Sequence, residues 1–520
     1  MRQTRPSRRD VLRAGLLTGA ALAGLPGCSA VPSRPEPGTP PVRGGVYSHG
    51  ATGGGLKDTL EPYFPVTNPD ISRVMQLYEP LLRWDANYEI EPSVAESVEP
   101  NADNTQWTVR IRDGVEFHHG KTVTAEDVMF SLATVTDPDN PGSGGTELAT
   151  ILELDNSKIL DPRTIVLQLN SPYAVLDQLL AEYTVGIIPT DFDISHPVGT
   201  GPFVYKHFVP GQLSQFVRNE NYWDGPPWVD ELFIYDFADD AAKVNALLAG
   251  QVQSIDNLPS YLAGTIEQQG ATPLVSETGA WVPFTMRVDV APFSDVRVRQ
   301  AMRLIVDRQQ MIDQALNGFG VLGNDLYAPF DPAYASHLPQ RMQDIDQAKS
   351  LLRQAGYEDL EVELVTSTAV GAGGVESANL FVEQARQAGV TVRLNKADPN
   401  VFYGDQYLSW TFAQDFWNTR NYIPQVATSS VKGATYNETH FEDPVFTELV
   451  EQAKREPDPE RRRRLLHEAQ EIEYHTGGYI IWGFKRQLDA YSNLVQGLEP
   501  HRYLPCSNFR FSRVSFVRQP

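Results

Sequence analysis

Glu361-Val-Glu-Leu-Val-Thr366, a helical pattern over roughly Glu376 to Ala388, and Val390-Thr-Val-Arg-Leu394 follow one another as strand, helix, strand. The short return through Gly389 makes a right-handed parallel crossover the expected packing. A parallel pair joined by a helix sets the class as mixed α/β. Upstream, Asp295 caps a helix bearing Val298, Ala301, Met302 and Ile305, and Asp307 caps the next, which ends near Gly318. Downstream, Asp443-Pro444 and Asp458-Pro459 each set a cap before a first-turn proline. Gly477-Gly478 ends the second of these helices, and Tyr479 to Phe484 reads as one buried strand. Nearer the start, Gln106 to Arg112 and Thr164 to Asn170 alternate apolar and polar residues as half-buried strands. Between them Thr124-Ala-Glu-Asp127 opens a helix with the stripe Val128, Leu132, Val135.

The first residues address the chain. Ser7-Arg8-Arg9-Asp10-Val11-Leu12-Arg13, an apolar stretch from Ala14 to Leu25, and Leu25-Pro26-Gly27-Cys28 form an export signal ending in a candidate lipid-attachment cysteine. The paired arginines resemble the twin-arginine export signal, and the four residues ending at Cys28 resemble a lipoprotein box, with Pro26 as a departure. The apolar stretch is too short for a comfortable membrane span. Residues 29–42 carry Pro32, Pro35, Pro37, Pro40 and Pro41, an extended tether that would hold the body about 40 Å off the bilayer at roughly 3 Å per residue. At 520 residues, 41% hydrophobic, the chain has room for several globular units. Its formal charge of −23 argues against nucleic acid and against lying on anionic lipid. Of two cysteines, if Cys28 carries the lipid then Cys506 has no internal partner, and no disulfide framework holds the fold.

Three near-motifs bear on catalysis. Gly114 to Thr122 has five residues between its glycines where a phosphate-cradling loop has four. His118 and His119 are adjacent, so extended backbone turns them to opposite faces. His467, Glu471 and His475 share one helix face and support an alternative, an exported metal-dependent hydrolase. A solvated face opposite Leu465, Leu466, Ala469 and Ile472 explains the same residues without a metal. The stronger signal is aromatic. Tyr403, Tyr407, Trp410, Phe412, Asp415, Phe416, Trp417, Arg420 and Tyr422 crowd one irregular stretch, a mixture suited to a pocket in which rings cover apolar ligand surface and a few charges fix its ends. Asp415 stands out, because a carboxylate among rings is costly unless a cation or donors meet it.

These residues sit within a longer match. Leu77-Tyr-Glu-Pro-Leu-Leu82, Glu91-Pro-Ser-Val-Ala-Glu-Ser97, Trp107 to Val115 and Thr124 to Val128 resemble, in order, the signature of the family 5 extracellular solute-binding proteins. Gly199-Thr-Gly-Pro-Phe203, Asn221-Tyr-Trp223, Pro292 to Ala301 and Ala348 to Tyr357 continue the likeness over nearly all of the mature chain. These are the dipeptide, oligopeptide and nickel receptors of ABC importers. The resemblance implies a two-lobed periplasmic-binding-protein-like fold of type II, with an additional domain and the ligand cleft between the lobes. Residues 43–80, 199–284 and 485–520 would form lobe one, 81–198 the extra domain and 285–484 lobe two.

In peptide-binding members an Asp takes the ligand's amino terminus, and Asp415, in the matching stretch with Trp410, is the expected amine anchor. Tyr403, Phe416 and Trp417 complete the expected ligand site. Where dipeptide receptors carry an Arg for the carboxylate, this chain has the glycine-rich run from Ala369 to Gly374, and Arg420 is the replacement on offer. The expected protein is a monomeric, non-enzymatic binding lipoprotein without a cofactor, held to the membrane by its lipid alone outside the cytoplasm. Its partners would be a small-molecule or short-peptide ligand and the permease and ATPase subunits of an importer. A receptor serving a sensor is the remaining alternative.

Overall fold

The computed structural model describes residues 34, 36 and 38–518; the export signal and Cys28 lie outside them. Thr39 and Val42, counted in the expected tether, lie against the body: the Thr39 carbonyl accepts from the Gln496 amide at 3.1 Å, and Val42 forms an antiparallel bridge with Phe516.

Two sheets carry the architecture. The larger runs in the order Ala271–Trp281, Gly483–Ser492, Ser254–Ile255, Val46–Thr52, Glu231–Phe237, Leu213–Arg218, Phe203–Val209, and Gly320–Leu322 also pairs with Gly483–Ser492. Val46–Thr52 lies parallel to both of its neighbours, and the other pairs are antiparallel. The second sheet is Thr391–Lys396, Glu361–Thr366, Phe412–Gln414, Phe284–Met286, Tyr479–Ile480. Here the expected parallel pair forms with Glu361 opposite Thr391, and the helix between its strands is Gly374–Gln387. A four-stranded antiparallel sheet, Ala95–Pro100, Gln106–Ile111, Thr164–Gln168 and Lys158–Asp161, makes the additional layer. On it Trp107, Val109 and Ile111 are buried while Gln106, Thr108 and Arg110 face out, and Thr124 and Asp127 close a capping box on helix Ala125–Val135.

The stretches that carry the family likeness meet at one buried carboxyl group. Glu79 accepts from the Tyr222 hydroxyl at 2.7 Å, the Trp223 indole at 2.7 Å and the Thr200 hydroxyl at 3.1 Å. Gly199 and Gly201 are needed beside it, since a Cβ at either would stand 1.9 or 2.2 Å from the Leu77 or Gln76 carbonyl oxygen.

Tyr479 to Phe484, expected as one strand, is divided. Tyr479–Ile480 belongs to the five-stranded sheet and Gly483–Ser492 to the larger one, so Ile481 and Trp482 carry the chain from one sheet to the other. Val282 and Pro283 make the second passage, between Ala271–Trp281 and Phe284–Met286. The unbroken apolar run hid the break because all of Tyr479 to Phe484 is buried, whichever sheet it joins.

Candidate ligand-binding site

Strand Phe412–Gln414 is held between Phe284–Met286 and Glu361–Thr366. Gln414 pairs with Phe284, and Trp417 pairs with Trp281 through backbone hydrogen bonds of 2.9 and 3.0 Å. Asp415 is thereby fixed level with the Val282-Pro283 passage between the sheets. Its side chain is only 3% exposed. Oδ1 accepts from the Tyr403 hydroxyl at 2.9 Å and from the backbone N–H of Phe416 at 2.7 Å, and Oδ2 accepts from the Tyr407 hydroxyl at 2.9 Å.

A second carboxyl group, Glu438, is hydrogen-bonded to Asp415. Glu438 also accepts from the Trp417 indole at 3.1 Å and from the Tyr479 hydroxyl. Two carboxyl groups so joined share a proton. Burial and the neighbouring Asp415 charge raise Glu438 well above the usual carboxylate range. Burial raises Asp415 too, against the hydrogen bonds from Glu438, Phe416 N–H, Tyr403 and Tyr407, which favour its ionised form. Both groups are thus raised, Glu438 the more strongly. No Lys, Arg or His among the described residues forms an ion pair with either group; His440, close in sequence, pairs with Asp289 at 3.2 Å.

The rings of the stretch gather around this pair. Tyr403 and Tyr407 meet edge to face at 5.1 Å, Phe416 stands 6.2 Å from Tyr403, and Tyr436 lies 6.5 Å from Tyr407 and 6.2 Å from Trp417. Trp417 stacks on Trp281 at 6.1 Å. Arg420 places its guanidinium 5.7 Å from the Trp417 ring and donates to the Thr428 hydroxyl at 3.0 Å. Trp410 lies apart from the carboxyl pair: its indole donates to the Phe402 carbonyl at 3.2 Å and its ring packs against the core of the five-stranded sheet. Glu438 and Tyr436 escaped the sequence reading because the chain returns to Asp415 only after helix Tyr422–Ser429 and a loop, and Tyr479 because it arrives two helices later still.

On helix Pro459–Thr476 the imidazole of His467 faces His337, 4.9 Å between ring centroids, and His337 Nε2 is 3.4 Å from Glu471. His475 packs on Tyr474 instead. Among the described residues no group of three His, Cys, Asp or Glu is placed to hold a metal ion.

A family model described as bacterial extracellular solute-binding proteins, family 5 Middle, matches residues 89–434. Heme-binding protein A of Haemophilus influenzae is 27% identical over 449 residues, covering 78% of this chain and 81% of the relative. Probable di/tripeptide-binding protein 5 of Pseudomonas aeruginosa is 25% identical over 481 residues, covering 84% of this chain and 89% of the relative. Among solved structures, the ABC transporter-associated periplasmic binding protein DppA of Helicobacter pylori, in complex with the peptide STSA, superposes with a TM-score of 0.76 at 21% identity, over 92% of this chain and 99% of that one. The matched segment spans both the four-stranded sheet and the Asp415 stretch, and with the shared two-lobed architecture it makes this chain a member of the family 5 bacterial extracellular solute-binding proteins, the non-catalytic binding components of ABC importers.

Proposed function

We propose that this chain captures a short peptide or another small solute bearing a cationic nitrogen, and that Asp415 receives that nitrogen. The observation that carries the reading is a buried pair of carboxyl groups, Asp415 and Glu438, met by hydroxyl, indole and backbone donors and by no cation among the described residues. A carboxylate taken out of water costs several kcal/mol unless a cation meets it, and no cation of the protein pairs with this one among the described residues. A ligand cation would complete it. Relatives named for di- and tripeptides support a peptide as the guest.

Capture is followed by closure of the lobe formed by 285–484 onto that formed by 43–80, 199–284 and 485–520, with the extra domain 81–198 riding on the latter. The Val282-Pro283 and Ile481-Trp482 passages, one to three residues before the expected lobe boundaries, are the hinge, which puts Phe284 with the second lobe and Gly483 and Phe484 with the first. A ligand favours the closed form only through contacts it lacks in the open one, and rings from the Tyr403 to Trp417 stretch supply them. The exported body, anchored through Cys28 and stood off by its tether, then hands the solute to a permease driven by ATPase subunits.

Replacing Asp415 by Asn keeps the shape and removes the charge. Calorimetry with short peptides should show binding weakened about a hundredfold, since a desolvated charge pair is worth roughly 3 kcal/mol. Equal affinity in the two proteins would remove Asp415 from the site.

A further inference from the structure

The same cluster carries information about the kind of cation it takes, an inference that rests on the amine-anchor reading above. An ionised carboxyl group offers about four acceptor positions. At Asp415 they are in use: Tyr403, the Phe416 N–H and Tyr407 fill three, and the hydrogen bond to Glu438 fills the fourth. A primary ammonium brings three N–H donors that need acceptors once water is lost. To donate to Asp415 it must first dislodge a tyrosine hydroxyl. A fully alkylated ammonium brings the charge without the donors.

The surroundings fit that second kind of guest. Tyr403, Tyr407 and Trp417 donate to the carboxyl pair, and Phe416 and Tyr436, 43% and 45% exposed, pack against those rings. Ring faces are negative and attract a cation within about 6 Å of the centroid, the more so once it is desolvated. Trp417 already receives one such contact, from Arg420. We propose that this cluster is a subsite for a quaternary or otherwise fully substituted ammonium group, with the Asp415 and Glu438 carboxyl pair at its base and the rings of Tyr403, Tyr407, Phe416 and Tyr436 supplying the contact surface.

Two probes decide it in calorimetry on the purified full-length chain: dialanine and its N,N,N-trimethyl derivative. The trimethylated probe should bind about tenfold tighter or better, in line with the strength of desolvated cation–π contacts. Tyr403→Phe with Tyr407→Phe keeps both rings and frees two acceptor positions, so dialanine should gain affinity and the preference should narrow or reverse. Tyr407→Phe alone frees one position and serves if the double variant does not fold. Both probes should lose affinity in Asp415→Asn. Tighter binding of dialanine by the unmodified protein, still lost in Asp415→Asn, would overturn the substituted-ammonium proposal and leave the amine anchor standing. A preference unmoved by the tyrosine variants would overturn it as well. Binding of neither probe, or binding indifferent to Asp415→Asn, would overturn the anchor and this proposal together.

Discussion

At the scale of single residues, buried carboxyl groups govern how the protein responds to acid. Glu473 accepts from the Tyr327 and Tyr422 hydroxyls, each at 2.6 Å, and burial pushes it from its ordinary 4.5 up to about 7. A carboxyl group that holds its proton more tightly when folded lends stability that is complete below about pH 4.5 and is lost as the pH rises through about 7. His49 and His118, buried and lowered to about 4, act in the opposite sense as the pH falls below their ordinary 6.5. The clean measurement is therefore a difference. Urea midpoints of the protein and of Glu473→Gln should diverge between pH 5 and pH 7.5, with the variant gaining relative to the parent as the pH rises; a constant gap would show that Glu473 does not titrate there. The setting of Asp415, buried and met by tyrosine hydroxyls, was legible in the sequence because a lone carboxylate among rings needs such partners. Glu438 was not, because nothing local marks a glutamate in Tyr436-Asn437-Glu438-Thr439 as buried at 5% exposure.

At the scale of elements, helix caps were the most readable feature. Asp295, Asp307, Asp443 and Asp458 each accept a backbone N–H at the helix start the sequence indicated. Asp443 takes two, from Val445 and Phe446, both at 2.9 Å. Asp443→Ala should cost about 1 kcal/mol in urea unfolding and leave ligand affinity unchanged. Arg303 shows where such reading stops. On helix Val296–Ile305 it looks like a solvated basic position, yet it is buried and donates to the carbonyls of Tyr479, Tyr474 and Glu473 at 2.9, 2.8 and 3.2 Å. It thereby shares in satisfying the carboxyl end of helix Pro459–Thr476, whose last carbonyls lack intrahelical partners and where Arg341 also donates to Tyr474 at 2.9 Å and Arg299 to Thr476. Only the packing of two helices distant in sequence reveals that role.

At the scale of the whole molecule, the fold class and the parallel crossover were readable from strand periodicity, whereas the split of Tyr479 to Phe484 depends on which sheet each half joins. If the two passages flex, small-angle scattering should show a smaller radius of gyration with a bound peptide than without, and an identical profile would argue for a rigid body. In the native host, Cys28→Ser should release the protein from the membrane fraction into the soluble extracytoplasmic one, and retention would point to another anchor. The bridge between Val42 and Phe516 has a practical corollary. Because residues 42 and 516 are stitched side by side, a fluorophore near residue 516 would, if the proposed anchor and lobe closure hold, report height above the bilayer and stay blind to opening and shutting. A dye meant to follow that motion belongs on the far body, on the outer surface of helix Gly374–Gln387.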